Sequence, residues 1–134
     1  MRNINKIILH CSATKEGKSF TAKDIDMWHR QRGWKKIGYH YVVLLNGEIQ
    51  VGRSESEIGS HTVGQNADSI GVCYVGGLDF KENPMDTRTD QQKNALKELV
   101  SNLLKKHPNA TVHGHNEFAN KACPCFNVSK EFGR

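Results

Sequence analysis

The sequence lacks any long hydrophobic run. None of its 134 residues belongs to an apolar stretch near the roughly 20 residues that a membrane-spanning helix needs, so we expect no stable membrane insertion. The beginning of the chain also lacks the apolar core of a secretory signal peptide, because only residues 7–9 are consecutively apolar there. We therefore expect synthesis in the cytoplasm, and any action beyond it requires another route of release.

Proline is also scarce, with 3 residues, and 37% of the chain is hydrophobic, which excludes disordered and collagen-like classes. The length predicts a single domain over residues 1–134 that can bury about two-thirds of its unfolded surface without a disulfide framework. Lysine and arginine number 19 against 14 acidic residues. The net charge of +5 favours a polyanionic partner such as nucleic acid, anionic lipid or an acidic cell-wall polymer.

Turn and capping signals divide the chain into strands and helices. Thr21 and Thr89 each begin a capping box, and Asn46-Gly47 predicts a hairpin turn. The irregular alternation of elements predicts an α/β fold, a single domain with a central mixed β-sheet of about five to six strands flanked by helices. The expected strands are 4–9, 39–45, 48–52, 70–75 and 111–115, and the expected helices are 21–31, 89–107 and a short turn at 129–132.

Four cysteines and seven histidines are the residues with the most chemical potential. His10 and His115 lie at the ends of predicted strands, and Cys123 comes eight residues after His115. Two imidazoles and a thiolate suit Zn²⁺, and three protein ligands leave a fourth position for water, as in catalytic zinc sites. His113 and His115 share one face of a strand, so spacing alone leaves open which of them is the ligand.

Several ordered motifs between residues 7 and 126 resemble one family. They are Leu9-His10-Cys11-Ser12-Ala13-Thr14, Gly33-Trp34 with Gly38-Tyr39-His40-Tyr41, Gly52-Arg53, Gly59-Ser60-His61, Asn66 with Ser69-Ile70-Gly71-Val72-Cys73, Val75-Gly76-Gly77, and Lys121-Ala122-Cys123-Pro124. Together they resemble the zinc-dependent N-acetylmuramoyl-L-alanine amidases of type 2, which include small phage lysozymes with amidase activity and share their fold with animal peptidoglycan recognition proteins.

The resemblance implies a Zn²⁺ site formed by His10, His115 and Cys123, and so selects His115 over His113. It also implies catalytic roles for Tyr39 and Lys121, whose O–H and N–H groups suit an oxyanion. The implied reaction is hydrolysis of the amide between N-acetylmuramic acid and L-alanine by a zinc-activated water. The substrate-binding residues that the resemblance and residue chemistry suggest are His61, Trp34, Arg53 and Asn66.

Other polar and aromatic side chains receive structural interpretations. We expect Cys73 and Trp28 in the core, His40 on the opposite face of its strand from Tyr39, and Cys11 directed away from the metal. His29 and His107 are expected to be exposed helix residues. Cys125 has no assigned role.

The expected partner is peptidoglycan, and we expect a monomer that binds no nucleic acid. Cytoplasmic synthesis followed by action on the bacterial cell wall fits a phage or prophage endolysin released with a holin-type partner. It also fits a secreted effector or a cytosolic recycling amidase. The alternatives are a peptidoglycan-binding recognition module without catalysis, a cysteine hydrolase with Cys11 or Cys123 as nucleophile, and a basic nucleic-acid-binding domain.

Overall fold

The structure is a computed structural model that describes residues 2–133. The described chain contains a series of strands and helices, with two short 3-10 turns at Asn66–Asp68 and His115–Glu117. The elements are β1 (Lys6–Cys11), β2 (Thr14–Lys15), α1 (Ala22–Gln31), β3 (Tyr41–Val43), β4 (Ile49–Val51), β5 (Ser69–Tyr74), β6 (Gly77–Leu78), α2 (Asp90–Lys106), β7 (Thr111–Gly114) and α3 (Val128–Phe132).

The central sheet has five strands in the order β4-β3-β5-β1-β7. β1 is parallel to both β5 and β7, β3 is parallel to β5, and only β4 runs antiparallel to its neighbour β3. The expected α/β fold with a mixed sheet and flanking helices is therefore confirmed. Because β1 lies between two parallel partners, the carboxyl ends of β1, β5 and β7 reach the same edge of the sheet.

Both faces of the sheet are covered, which explains why β1 and β5 are almost entirely buried. Alternate residues of each strand contribute to different cores because successive side chains point to opposite faces. On one face, Ile7 and Leu9 pack with the apolar side of α2 and with Val128 of α3. On the other face, Val42 and Cys73 pack with Ile25 of α1.

The helix and hairpin signals of the sequence correspond to real contacts. Thr21 Oγ1 accepts from the Asp24 backbone at 3.3 Å, and Thr89 Oγ1 accepts from the Gln92 backbone at 3.0 Å. The hairpin between β3 and β4 turns at Gly47, whose φ of +88° is a conformation that glycine adopts without a steric penalty. The two predicted capping boxes and the predicted hairpin are thus confirmed.

Strand boundaries differ from the expected ones by a few residues. β1 begins later than residue 4 and continues through His10 and Cys11, because these residues pair with Cys73 and Tyr74 of β5. The strands β2 and β6 pair through only two residues each. Strands of this length show no alternation of polar and apolar residues, so the sequence pattern did not predict them.

Within residues 2–133, none of the helices has the length and apolar character needed to cross a membrane.

A buried arginine fastens the end of the described chain to the segment before α2. The Arg88 side chain is only 2% exposed, and it donates to both oxygens of Glu131 at 2.7 Å and to Asp86 at 2.9 Å. Its guanidinium carbon also lies 3.4 Å from the centre of the Phe126 ring. Arg88 therefore holds α3 and the loop before it in place.

We expect Arg88→Ala to lower the free energy of unfolding by about 2–3 kcal/mol. This is less than the cost of breaking a fully buried ion pair, because the carboxylates of Asp86 and Glu131 are about one-third exposed and stay hydrated. Arg30→Ala is the matched control, since Arg30 pairs with Asp26 at the surface of α1 and should cost less than about 0.5 kcal/mol. Urea denaturation of both variants measures the difference. Equal destabilisation of the two would show that Arg88 has no special structural role.

Candidate metal centre and active-site pocket

Three potential metal ligands converge at the carboxyl edge of the sheet. His10 is the fifth residue of β1 and is 1% exposed, and His115 directly follows β7. Cys123 lies in the loop between β7 and α3 and is half-buried. The parallel pairing of β1 with β7 brings the two histidines together although they are 105 residues apart in sequence.

The spacing of the three donor atoms suits a tetrahedral zinc ion. His10 Nδ1 lies 3.2 Å from His115 Nδ1 and 3.9 Å from Cys123 Sγ, and all three donor atoms are within 4.8 Å of one another. Zinc–ligand bonds of about 2.05 Å to nitrogen and 2.3 Å to sulfur place tetrahedral ligands about 3.3 Å (N to N) and 3.6 Å (N to S) apart. The residues present therefore fit the metal that the sequence predicted.

The electrostatic surroundings favour the uncharged form of both histidines. Burial lowers the pKa of His10 well below its usual value, with further lowering by His61, His115 and the Lys121 ammonium. Burial and Lys121 also lower the pKa of His115. A metal ligand must be a neutral imidazole, so the site has the protonation state that metal binding requires.

The Cys123 sulfur has its own backbone donor. The Cys11 amide N–H donates to Cys123 Sγ at 3.2 Å, a contact that orients the sulfur within the site. The Cys11 side chain points to the opposite face of the sheet, as expected, and lies 3.9 Å from Cys125 Sγ. Neither thiol belongs to the candidate donor set of His10, His115 and Cys123.

A pocket of about 210 Å³ opens over this centre. His115 and Cys123 line it together with Tyr39 and Lys121, the two residues predicted to be catalytic. The remaining lining residues come from the end of β1 and from α1 and its carboxyl end: Cys11, Ser12, Ala13, Ile25, Trp28, His29 and Arg32. The structure thus brings two of the predicted ligands and both predicted catalytic residues into one cavity, and the third ligand, His10, contacts His115 from outside the lining.

Tyr39 precedes β3, and its ring centre lies 5.1 Å from that of His10. Burial and the neighbouring thiols Cys73 and Cys123 raise the pKa of Tyr39 well above 10. The phenol therefore keeps its proton at neutral pH and is available as a hydrogen-bond donor.

His29 corrects an expectation, because it is buried and lines the pocket instead of being exposed on α1. Its Nδ1 accepts from the Gly38 backbone at 2.9 Å, and its ring packs against Trp34 and Tyr39. Burial lowers the pKa of His29 to about 4, so the ring is neutral near pH 7. Trp28 packs against the core and against Phe20, as expected, and it also lines the pocket.

Helix spacing contained a partial signal for these missed residues. Trp28 and Arg32 are four positions apart, so they lie on the same side of α1 and its end. The same spacing is typical of a helix that only packs on a sheet. The sequence pattern therefore does not show whether this face of α1 lines a pocket or belongs to the core. His107, the other histidine expected to be exposed, is partly buried and contacts Glu55 at 3.2 Å.

Two of the predicted substrate-binding residues lie outside the metal pocket in a neighbouring groove. Trp34 and Arg53 line this groove with Lys35, Lys36 and Ile58. Arg53 donates to the backbone carbonyls of Ile37 and Ile58, and Trp34 is 36% exposed. Trp34 and Arg53 therefore lie together, but in a different cavity from the candidate metal ligands.

The other two predicted substrate-binding residues, His61 and Asn66, lie outside the pocket on the side of His10 that faces away from His115. His61 is not among the residues that line the pocket; its Nδ1 lies 2.9 Å from His10 Nε2. The Asn66 side-chain oxygen accepts from the backbone N–H groups of His61 and Thr62. The predicted groove contact of His61 does not match this placement, because both of its ring nitrogens are engaged inside the protein.

His113, the histidine that spacing could not separate from His115, points away from the centre. Its ring nitrogens contact Glu117 at 2.8 Å and Thr111 at 2.6 Å. His40 is fully buried and accepts from the Gly71 backbone at 3.0 Å, which agrees with its structural interpretation. Cys73 is also fully buried, as expected for a core thiol.

Comparison with known proteins gives consistent results. The family model described as N-acetylmuramoyl-L-alanine amidase matches residues 1–126. The endolysin of Escherichia phage T7 is 40% identical over 124 residues, covering 92% of this chain and 82% of that protein. The endolysin of Enterobacteria phage K11 is 38% identical over 126 residues, covering 94% of this chain and 83% of that protein.

Solved structures agree with these sequence matches. The N-acetylmuramoyl-L-alanine amidase LysC from Clostridium intestinale URNW is 32% identical, with a TM-score of 0.81 over 98% of this chain and 83% of that one. The Ph2119 endolysin from the Thermus scotoductus bacteriophage Ph2119 is 28% identical, with a TM-score of 0.80 over 92% of this chain and 79% of that one. The likeness therefore extends over nearly the whole fold.

We expect the neutral His29 ring to make stability depend on pH in a defined window. Between pH 6.5 and about 4 the unfolded chain binds a proton at His29 that the folded chain does not, so the free energy of unfolding falls as the pH is lowered through this range. His29→Asn keeps an acceptor for the Gly38 N–H but removes this titration. The metal-free variant should therefore lose less stability than the metal-free wild type between pH 6.5 and 4.

Urea denaturation after chelation, at several pH values, measures this difference. Because every other group titrates in both proteins, the gap between the two curves isolates His29. Parallel curves would contradict a lowered pKa for His29.

Proposed function

Since this chain belongs to the N-acetylmuramoyl-L-alanine amidase family, and is an enzyme that hydrolyses the amide between N-acetylmuramic acid and L-alanine in peptidoglycan, we propose that His10, His115 and Cys123 bind its Zn²⁺. The observation that carries this proposal is the spacing of their three donor atoms beneath a pocket that also holds Tyr39 and Lys121. When bound, zinc supplies a water of lowered pKa and polarises a carbonyl oxygen.

The residues of the pocket provide donors for the charge that develops during hydrolysis. Attack on the amide carbon converts the carbonyl oxygen into an oxyanion. Lys121 offers an ammonium group and Tyr39 offers a phenol that retains its proton, and both face the cavity. As the carbon–nitrogen bond breaks, the alanine nitrogen takes a proton and the stem peptide leaves the glycan.

The substrate is large, and we propose that it occupies both the metal pocket and the neighbouring groove. Trp28, His29 and Arg32 line the pocket on the α1 side, and Trp34 and Arg53 line the groove. Aromatic faces suit sugar rings, whereas arginine suits the carboxylates of a stem peptide. The net charge of +5 supports binding to an anionic cell wall.

We propose an endolysin role: synthesis in the cytoplasm, release with a holin-type partner and action on the cell wall as a monomer. Support comes from the phage endolysins that match more than nine-tenths of this chain. The three complete metal ligands and the catalytic candidates weigh against a recognition module that binds peptidoglycan without cleaving it.

We expect His115→Ala to lose bound zinc and amidase activity together, because it removes one of three protein ligands. The matched control is His113→Ala, two residues away, whose side chain contacts Glu117 and Thr111 and not the centre. This control should keep about one zinc per chain and its activity. Metal analysis after dialysis, and mass spectrometry of the products from purified peptidoglycan, measure both properties.

Wild-type protein should release stem peptides with new L-alanine amino termini, lose this activity on chelation and regain it with added zinc. A His115→Ala protein that still binds zinc would overturn the ligand assignment. Peptidoglycan that is bound but never cleaved by the zinc-loaded wild type would support the recognition module instead.

Lys121→Ala tests the proposed oxyanion donor separately from metal binding. We expect the variant to retain zinc, because the Lys121 ammonium lowers the pKa of the ligand histidines by repulsion and is not itself a ligand. Its kcat should fall by about 10²–10³, the usual effect of removing one oxyanion donor. The matched control is Lys130→Ala on the exposed side of α3, which should leave kcat unchanged. Full activity of the Lys121→Ala enzyme at saturating zinc would refute the assigned role.

A further inference from the structure

The second ring nitrogen of His10 contacts the segment between β4 and β5. His10 Nε2 lies 2.9 Å from His61 Nδ1 and 3.3 Å from Thr62 Oγ1. The Nδ1 atom of His10 faces the other two proposed ligands. A neutral imidazole that binds a metal through Nδ1 carries its proton on Nε2, so this proton needs an acceptor at the position where His61 lies.

The partners of His61 define its own protonation pattern. Its Nε2 lies 3.3 Å from Ser69 Oγ, an atom of a fully buried serine in β5. With the His61 proton on Nε2, Ser69 accepts it and Nδ1 is left with a free lone pair. The Thr62 hydroxyl is 3.0 Å from the same Nδ1, so it either donates there or accepts from His10. His61 Nδ1 remains the final acceptor in both arrangements.

The surrounding backbone leaves space for this one ring. A Cβ atom added at Gly59 or at Gly71 would lie 2.6 Å from His61 Cδ2, a distance at which the ring would have to move. Glycine at both positions therefore lets the imidazole lie flat between the two segments and next to His10.

The backbone of His61 is fixed as well. Asn66 Oδ1 accepts from the His61 N–H at 3.0 Å and from the Thr62 N–H at 2.9 Å. One amide side chain thus orients both residues that contact His10. This arrangement links Asn66 to the metal centre through His61, without any contact between Asn66 and the pocket.

We propose that His61 is a positioning residue that holds His10 as the Nε2–H tautomer and aims its Nδ1 lone pair at the metal. This inference rests on the proposed metal site. Its role differs from a contact with substrate, because a substrate hydrogen bond to either nitrogen of His61 would break a bond that supports His10 or one to Ser69.

Three substitutions of His61 test whether His10 needs a hydrogen-bond acceptor at the Nδ1 position or only a side chain that fills the space. His61→Asn puts a side-chain oxygen near the original Nδ1 position, His61→Gln puts its oxygen near the original Nε2 position, and His61→Leu fills the space without an acceptor. Zinc affinity, measured by competition with a chromophoric chelator, and the visible absorption of the Co²⁺-substituted protein are the two readouts. Neither depends on catalysis.

We expect His61→Leu and His61→Gln to lose about 10- to 100-fold in zinc affinity and to change the Co²⁺ spectrum, because the orientation of His10 is no longer fixed. His61→Asn should remain within about threefold of the wild type. His113→Leu is the histidine control and should match the wild type. If His61→Leu does not fold, the comparison between the Asn and Gln variants still decides the question.

Wild-type affinity and an unchanged Co²⁺ spectrum in the Leu or Gln variant would overturn the positioning role. Equal losses in the Asn, Gln and Leu variants would also overturn it, since they would mean that only the shape of the imidazole matters. Failure of the proposed metal site itself gives another pattern: the wild type would bind zinc weakly, or its affinity would not change on His115→Ala.

Discussion

The parallel pairing of β1 with both β5 and β7 is the constraint on which the rest of the structure depends. Because parallel strands end on the same side of a sheet, this pairing brings together His10 and His115 from opposite ends of the chain. The register matters as much as the direction. β7 ends at Gly114, which pairs with Leu9, so the next residue of each strand is a histidine. A shift of one residue would direct one of the imidazoles to the wrong face.

Because side chains alternate along β1, the neighbouring residues His10 and Cys11 lie on opposite faces of the sheet. His10 points towards Tyr39 and His115, and Cys11 points towards α2, where it packs in the larger core. The Cys11 backbone still serves the metal centre through its N–H bond to Cys123. One strand therefore supplies a proposed ligand, a donor to a second proposed ligand and part of the hydrophobic core.

The sequence predicted those parts of the molecule that depend on local chemistry. Thr21, Thr89 and Asn46-Gly47 act within a few residues of themselves, so their patterns are sufficient to find the helix starts and the hairpin. The orientation of His61 depends instead on residues from β1 and β5 that only the folded sheet brings together. His29 is a similar case, because its burial is set by the Gly38 backbone and not by the pattern of α1. The predicted ligand trio came from the family resemblance, since spacing left His113 and His115 equivalent.

The contacts of α1 connect the packing of the core to the position of Tyr39. Asp26 accepts from the Ile37 backbone at 2.8 Å and His29 accepts from the Gly38 backbone at 2.9 Å, so α1 holds the two residues that precede Tyr39. The helix also buries Ile25 against the sheet, so its position is set by the core. A change that loosens this packing would move the segment before β3, and with it the Tyr39 phenol. The helix that covers one face of the sheet is therefore also the element that places a predicted catalytic group beside His10.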